Sequence, residues 1–267
     1  MADDWLGLRG RVCVVTGAAS GIGAAIAREL CAQGARVALL DRDAPGAMRF
    51  AQELSDQGYA AFASPCDLSD AAAVAQAAAR VRETFGPAGV LVNNAGLLRA
   101  GSLLEASAAD WNHVLAVNLG GYLNAARAFH AQLLDAGAAS IVHVASISGL
   151  FPQSGSGAYS ASKAGVLLLS RQLAVEWGPL GIRSNAICPG MIRTPLSARF
   201  YDEPGFEARR AAVTASRRIG EPQDIAHVAA FLASARSGYV NAAEILVDGG
   251  MSSMLMDMVP RPGFNHT

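Results

Sequence analysis

The sequence predicts a single α/β domain in which a parallel, doubly wound sheet is covered by helices on both faces. Short β-rich runs alternate with longer helical patterns along the 267-residue chain, and such alternation is typical of parallel sheets connected by helices. The β-rich runs are continuously apolar, as in Val12-Cys13-Val14-Val15, which is expected for strands buried on both faces. No linker, repeat or low-complexity segment interrupts the alternation, so residues 1–267 are predicted to form one domain.

Strands and helices follow from this pattern in chain order. The predicted strands are residues 11–16, 36–40, 60–64, 90–93, 140–146, 183–188 and 244–247, and the main predicted helices are residues 21–33, 71–85, 108–134, 158–177 and 223–233. The segment 195–216 breaks the alternation, because it contains Pro195, Pro204 and Gly205 together with aromatic residues. Such a segment is typical of a lid over a site, and an ordinary surface insertion is the alternative.

Composition excludes several classes of protein. With 52% hydrophobic and 16% charged residues, the chain can bury a sizeable core and is not predicted to be disordered. A formal net charge of -1 without a basic block argues against nucleic acid or an anionic membrane as partner. No apolar stretch approaches the roughly 20 residues of a membrane span. The histidines show no metal-ligand spacing, so no metal is expected. Scattered cysteines and the absence of a visible signal peptide favour reduced thiols and a cytoplasmic location.

A glycine-rich turn follows the first predicted strand. It reads Thr16-Gly17-Ala18-Ala19-Ser20-Gly21-Ile22-Gly23 and leads directly into a helix. Glycines allow the backbone to turn sharply beside a pyrophosphate, and the helix N-terminus offers N–H groups and the positive end of a dipole. The strand–turn–helix context predicts a dinucleotide site. A Walker loop is excluded, because no Gly-Lys-Ser/Thr follows.

Asp41 closes the second predicted strand, twenty residues after Gly21. A carboxylate at this position can accept hydrogen bonds from a ribose diol and repels a 2′-phosphate, which favours NAD over NADP. Ala18 and Ala19 supply no cation for that phosphate. Arg42 keeps NADP open, because an adjacent guanidinium can bind the phosphate.

Lys163 is the only lysine among the 21 basic residues of the chain, and Tyr159 lies four positions before it. Residues four apart share a helix face. A cation beside a phenol favours the phenolate and lowers the phenol pKa from about 10. The pair is therefore a candidate for proton transfer, with a surface lysine that lies near a core tyrosine by accident as the alternative.

These motifs together resemble the short-chain dehydrogenase/reductase family, single-domain branch, over about residues 8–250. The glycine turn has the family's TGxxxGxG form, and Ser146 lies thirteen residues before Tyr159. The other matching segments are Cys66-Asp67-Leu68, Asn93-Asn94-Ala95-Gly96, Asn118, Pro189-Gly190 with Thr194 behind it, and Val247-Asp248-Gly249-Gly250. His143 departs from the family, which often has Asn there.

The resemblance implies a seven-stranded sheet of the Rossmann type and an NAD(P)-dependent oxidoreductase of alcohols and carbonyls. It implies that Tyr159 is the general acid/base and that Ser146 holds the substrate oxygen. It also implies that Lys163 binds the nicotinamide ribose and lowers the Tyr159 pKa. Asn118 is then expected to anchor a water. With NAD as the expected cofactor, the predicted cofactor-binding residues are Gly17, Ser20, Gly21, Ile22, Gly23, Asp41, Arg42, Asp67, Leu68, Asn94, Ala95, Gly96, Tyr159, Lys163, Pro189, Gly190, Ile192 and Thr194.

The substrate is expected to be a neutral secondary alcohol, cyclic alcohol, sugar or polyol. Ser148, Gln153 and Met191 are the predicted substrate residues; Ser148 as a plain loop serine remains open. The expected pocket also includes Leu97, Leu98, Arg99, Leu150 and the lid from residue 196 to residue 206. Arg99 is more readily understood as solvent-facing than as a carboxylate ligand. An NADPH-dependent ketoreductase of the 3-oxoacyl type and a non-catalytic dinucleotide-binding protein are the alternative functions.

Two further expectations concern His143 and the C-terminal tail. His143 with Ser146 invites a serine-hydrolase interpretation, but residues three apart in a strand point to opposite faces and no GxSxG elbow surrounds Ser146. His143 is therefore predicted to be structural. Four methionines lie within Met251–Met258 of the tail 251–267, and flexible, apolar Met side chains favour a subunit contact. A homotetramer is expected, with a tail folded onto its own subunit as the alternative.

Overall fold

Seven parallel strands form one sheet with the order β3-β2-β1-β4-β5-β6-β7, which confirms the predicted fold class. The computed structural model describes residues 4–195, 197–260 and 263. The strands are β1 Val12–Thr16, β2 Arg36–Asp41, β3 Ala61–Pro65, β4 Val90–Asn93, β5 Ala139–Val144, β6 Ile182–Pro189 and β7 Glu244–Val247. Successive strands are added on one side of β1 up to β3, and on its other side from β4 to β7. Parallel α/β proteins bind ligands where the strand order changes in this way, beyond the carboxyl ends of the strands.

Eight α-helices lie among these strands in the described part of the chain. They are α1 Gly21–Ala32, α2 Ala44–Asp56, α3 Ala71–Phe85, α4 Ala108–Leu115, α5 Gly121–Ala136, α6 Tyr159–Trp177, α7 Phe206–Ala212 and α8 Pro222–Ala233. None of the described helices is long and apolar enough to cross a membrane.

Alternating residues of the strands supply a core on each face of the sheet. In β1, Cys13 and Val15 belong to the cluster that contacts α1 and α8, whereas Val12 and Val14 belong to the cluster on the other face. This alternation follows from the two-residue period of side chains in a strand. The sheet is therefore buried on both faces, as its continuous apolar strands predict.

Three elements differ from the predicted ones. Helix α2 is not among the main helices that the sequence predicts, although the Asp43 carboxylate caps its first turn through the Gly46 N–H at 3.1 Å. The predicted helix 108–134 contains a π-helical turn over Ala116–Gly120 between α4 and α5. Strand β5 ends at Val144, so Ser146 lies beyond it and caps a short 3₁₀ turn over Ile147–Gly149.

The predicted lid contains a 3₁₀ turn over Ala198–Asp202 followed by α7. Arg193 forms ion pairs with Glu207 of this segment and with Glu221. The pair with Glu207 ties the segment to the residues that follow β6. Leu196 lies outside the described residues.

In the tail, Met254 is buried, whereas Leu255, Met256 and Met258 are exposed. Residues 261, 262 and 264–267 of the tail lie outside the described residues. The proposed subunit contact of the tail stays a prediction.

Candidate active site

The carboxyl ends of the strands border a cavity of about 810 Å³. Most of the residues that line it follow β1, β3, β4, β5 and β6 or end β2. One sheet edge therefore brings together segments that are far apart in the sequence. Nearly all the predicted catalytic, cofactor and substrate residues line this cavity: Gly17, Ser20, Gly21, Ile22, Asp41, Arg42, Asp67, Leu68, Asn94, Ala95, Gly96, Ser146, Ser148, Gln153, Tyr159, Lys163, Pro189, Gly190, Met191, Ile192 and Thr194.

The glycine turn adopts the conformation that its sequence predicts. Gly17 has φ +63°, and a Cβ there would lie 2.7 Å from the Cα of Ala95. A Cβ on Gly23 would lie 2.1 Å from the carbonyl oxygen of Gly17. Gly23 is not among the described residues that line the cavity. Its position requires glycine because α1 packs closely on the turn, rather than because a ligand contacts it.

Asn94 ties the end of β4 to the glycine turn. Its Nδ2 atom donates to the carbonyl oxygens of Thr16 and Gly17, each at 3.0 Å. The Thr16 hydroxyl oxygen accepts hydrogen bonds from the backbone N–H groups of Asn94 and Ala95, at 2.9 and 3.1 Å. The turn is therefore held in place by side chains, and the exposed Ser20 precedes α1, whose N-terminal amides are suited to a pyrophosphate.

Asp41 and Asp67, which the sequence analysis expects to contact the adenosine, both line the cavity. Asp41 Oδ2 accepts a hydrogen bond from the Ala19 N–H, and its Oδ1 accepts one from the Asp43 N–H, both at 2.9 Å. Asp67 Oδ1 accepts hydrogen bonds from the hydroxyl and the N–H of Ser69. These bonds lower the pKa of Asp67 below the usual 3.8, so its carboxylate is charged.

Ser146, Tyr159 and Lys163 meet at the inner end of the cavity. Ser146 is buried and accepts a hydrogen bond from the Ser148 N–H at 3.0 Å. Tyr159 begins α6 and is half-buried. Lys163 Nζ lies 5.8 Å from the centre of the Tyr159 ring. The structure thus brings together the three residues that the sequence predicts for proton transfer.

The structure corrects one electrostatic expectation. Burial raises the pKa of Tyr159 above its usual 10, and the hydrogen bond with the Ser146 side chain opposes this effect. Lys163 is itself buried, and burial lowers its pKa to about 7, so its charge does not reverse the rise in the Tyr159 pKa. Desolvation of both groups thus outweighs the charge interaction that their spacing indicated.

Lys163 also has contacts that its sequence motif does not predict. Its Nζ atom donates to the carbonyl oxygen of Val144 at 2.8 Å and to the hydroxyl oxygen of Tyr122 at 3.3 Å. The Tyr122 hydroxyl in turn donates to the same Val144 carbonyl at 3.1 Å. Tyr122 lies one turn after Asn118 in α5 and is fully buried.

Asn118 stands at the centre of the π-helical turn and is buried. Its Oδ1 accepts from the Leu97 N–H, and its Nδ2 donates to the Leu97 carbonyl and to the Ser162 hydroxyl at 2.9 and 3.1 Å. Among the described residues, its neighbour Val117 lines the cavity and Asn118 does not. Asn118 thus fixes the loop after β4 against α6.

His143 is fully buried, and its ring stacks on the ring of Tyr122. Its Nδ1 lies 3.3 Å from Asn93 Nδ2 and its Nε2 lies 3.2 Å from Ser184 Oγ. The amide group is a donor, so Nδ1 is the acceptor and Nε2 carries the proton. Burial lowers the pKa of His143 to about 3. These contacts support a structural role and leave the serine-hydrolase interpretation without a base.

Comparisons with known proteins agree with this geometry. A family model described as Enoyl-(Acyl carrier protein) reductase matches residues 17–252. The D-threitol dehydrogenase of Mycolicibacterium smegmatis is 40% identical over 243 residues, which are 91% of this chain and 93% of the relative. The galactitol 2-dehydrogenase (L-tagatose-forming) of Cereibacter sphaeroides is 42% identical over 246 residues, which are 91% and 95% of the two chains.

The chain belongs to the short-chain dehydrogenase/reductase family. A crystal structure of a gluconate 5-dehydrogenase from Burkholderia cenocepacia in complex with NADP and tartrate matches it with a TM-score of 0.87 and 31% identity. That match covers 92% of this chain and 96% of the other. The protein is an oxidoreductase of this family.

Only some of the residues predicted for the substrate pocket of this short-chain dehydrogenase/reductase line the cavity. The Ser148 hydroxyl donates to Gln153 Oε1 at 3.2 Å, so two predicted substrate residues are neighbours. Arg99 and Leu150 are not among the described lining residues, and Arg99 faces solvent near Asp110. Additional lining residues that the sequence analysis did not name as site residues are Leu40, Cys66, Val117, Val144, Ala145, Ile147, Phe151, Pro152, Ser154, Pro195, Arg210 and Met251. Their only sequence signal is proximity to the predicted motifs and lid.

Proposed function

We propose that this short-chain dehydrogenase/reductase oxidises a secondary alcohol of a polyol or sugar with NAD as the hydride acceptor and Tyr159 as the general base. The observation that carries the proposal is the meeting of Tyr159, Ser146 and Lys163 at the inner end of one cavity. The same cavity extends to Asp41 and the glycine turn, so a dinucleotide on that turn can reach the proton-transfer residues.

The chemistry divides between the cofactor and the protein. When bound, the nicotinamide supplies the acceptor for the hydride that leaves the alcohol carbon. The Tyr159 phenolate takes the hydroxyl proton, and the C–O bond becomes a carbonyl. The Ser146 hydroxyl donates a hydrogen bond to that oxygen and orients it. Lys163 favours the phenolate through its charge, at the separation already described. In the reverse direction Tyr159 returns the proton.

Asp41 supports NAD as the preferred cofactor. Its carboxylate lies at the rim of the cavity, where it can accept hydrogen bonds from a ribose diol and repel a 2′-phosphate. The glycine turn offers only Ala18 and Ala19 near this position, and neither is a cation. Arg42 also lines the cavity, and its guanidinium is the group that would bind the 2′-phosphate of NADP. NADP is the cofactor bound to the Burkholderia cenocepacia relative.

The polyol or sugar class rests on the lining of the substrate end and on the relatives. Ser148, Gln153 and Ser154 provide polar groups beside apolar Phe151 and Met191, a mixture suited to a hydroxylated carbon chain. The two curated relatives named above are called dehydrogenases of threitol and galactitol. The four buried, unpaired cysteines support a reducing compartment, in keeping with the proposed cytoplasmic location.

A spectrophotometric screen tests the proposal. Purified protein is assayed with polyols, sugars, cyclic alcohols and hydroxy acids, with NAD and separately with NADP, and reduced cofactor is followed by absorbance. We expect turnover with polyols or sugars and NAD. Turnover with NADP alone would show that Arg42 outweighs Asp41 and would favour the reductase direction. Tight binding of NADH with no turnover across the panel would favour a non-catalytic dinucleotide-binding protein.

Tyr159→Phe tests the role of the phenol. The variant should bind NADH as the wild type does and lose nearly all turnover, because only the proton acceptor is removed. Tyr239→Phe is the matched control, since Tyr239 is fully exposed and outside the cavity lining. Wild-type turnover in Tyr159→Phe would overturn the proposed mechanism while leaving the cofactor site in place.

A further inference from the structure

Tyr122 is a buried phenol in contact with the lysine of the proposed proton-transfer site. It lies in α5, and its ring stacks on the His143 ring with 5.8 Å between centres. Its hydroxyl donates to the Val144 carbonyl at 3.1 Å. A phenol has one O–H to donate, so this bond leaves the oxygen lone pair to face Lys163 Nζ at 3.3 Å.

The Lys163 ammonium group is held by two oxygens in the protein interior. A lysine has three N–H donors, and the Val144 carbonyl and the Tyr122 hydroxyl accept two of them. The third remains for the cavity, which Lys163 lines. Tyr122 thus fixes which way the ammonium group points and supplies one of its two acceptors.

The position of Lys163 makes each acceptor important. Only 3% of the Lys163 surface is exposed, so water contributes little to solvating the charge. Burial lowers its pKa to about 7, so the protonated and neutral forms are close in free energy near neutral pH. Burial raises the pKa of Tyr122 well above 10, so Tyr122 stays a neutral phenol that can accept a hydrogen bond from the cation. Hydrogen bonds to charged groups are among the strong ones in proteins.

We propose that Tyr122 is a positioning residue that holds the Lys163 ammonium group in place and keeps it protonated, and so supports the Tyr159 phenolate from a second position. Tyr122 is not among the described residues that line the cavity, and it acts through Lys163. The catalytic part of this inference rests on the proposed function. The link between Tyr122 and the protonation of Lys163 does not, and it can be measured without turnover.

The first test uses the fact that Lys163 is the only lysine of the chain. Protein labelled with ¹³C,¹⁵N-lysine gives a single lysine side-chain signal, so an NMR titration reports the pKa of Lys163 directly. Tyr122→Phe keeps the ring and its stacking but removes the acceptor. We expect the pKa of Lys163 to fall by about 0.5 to 1 unit, the size of one modest charge-assisted hydrogen bond.

Two other variants complete this test. Tyr59→Phe is the control, because it removes the same atom from a residue just before β3, at the amino end of the sheet, and should leave the Lys163 titration unchanged. Tyr122→Leu also removes the phenol oxygen and serves if Tyr122→Phe does not fold. An unchanged pKa of Lys163 in a folded Tyr122 variant would overturn the proposal, whatever reaction the enzyme catalyses.

The second test reads the same link through activity. With less charge on Lys163, the Tyr159 phenolate is less favoured, so the acid limb of kcat/KM for alcohol oxidation should move to higher pH by a similar amount. The rate near neutral pH should then fall about 3- to 10-fold and recover at alkaline pH. A purely structural role would lower the rate evenly across pH. A wild-type enzyme that oxidises no alcohol would refute the proposed function but leave the NMR result to decide the role of Tyr122.

Discussion

The Asp41 carboxylate accepts a hydrogen bond from the Ala19 N–H at 2.9 Å, which joins the end of β2 to the glycine turn. A second hydrogen bond from the Asp43 N–H holds its other oxygen. The carboxylate is therefore fixed at the cavity rim rather than free to turn away. A fixed negative charge at this point is the feature that should discriminate between the two dinucleotides.

Asp41→Ala should narrow the preference for NAD over NADP by roughly 10-fold or more, because the ribose hydroxyls lose an acceptor and the 2′-phosphate loses a repelling charge. The measurement is kcat/KM for both cofactors with one substrate. Asp43→Asn is the control, since it removes a neighbouring charge but can still cap α2. An unchanged cofactor ratio in Asp41→Ala would mean that Asp41 does not contact the ribose.

Oxidation and reduction should have opposite pH dependence. Oxidation needs Tyr159 deprotonated, and burial raises its pKa above 10, so kcat/KM for oxidation should rise from neutral to alkaline pH by up to about 10-fold per unit. Reduction needs the protonated phenol and should fall over the same range. Melting temperatures at each pH exclude loss of folded enzyme as the cause. An oxidation rate that does not vary with pH would contradict a general-base role for Tyr159.

His143 should make the fold sensitive to acid. Its folded-state pKa of about 3 lies below the 6.5 of the unfolded chain, so the unfolded state binds the proton first. Stability from this residue is complete above pH 6.5 and is lost progressively as pH falls toward 3, which amounts to about 2 kcal/mol by pH 5.

His143→Asn removes this titration. Denaturant unfolding at neutral pH and near pH 5 should show a smaller acid loss in the variant than in the wild type, even if its stability at neutral pH is lower. His227→Asn is the control, because the His227 side chain is 64% exposed. Equal acid losses in wild type and His143→Asn would show that His143 is not the sensitive group.

The exposed residues of the tail should contribute to assembly. Replacing Leu255, Met256 and Met258 with Ser leaves the buried Met254 in place, and should convert the expected tetramer into smaller species, because apolar contact area is lost. Light scattering coupled to size exclusion gives the mass. Replacing the exposed Leu103 and Leu104 with Ser is the comparison. A tail variant with the wild-type mass would reject the interface role.

Much of the fold and site could be predicted because their signals are local. The β1 strand is a continuous apolar run, and the glycine turn, the spacing of Tyr159 and Lys163, and the acid that ends β2 each lie within a few residues of one another. Helix α2 is harder to predict, because Pro45 and Gly46 in its first turn are typical of loops, and only the Asp43 cap indicates a helix start.

Other features depend on residues brought together by the sheet, and no local pattern contains them. Tyr122 meets Lys163 across 41 positions and Val144 across 22, and these contacts, with the burial that accompanies them, decide which charges are favoured. The Tyr159 pKa therefore differs in direction from the one that its spacing to Lys163 predicts. By itself the sequence determined the parallel α/β fold and the residues that carry the chemistry, because period and spacing are written along the chain. The tertiary structure decided the protonation of those residues, because desolvation depends on what surrounds a group in space.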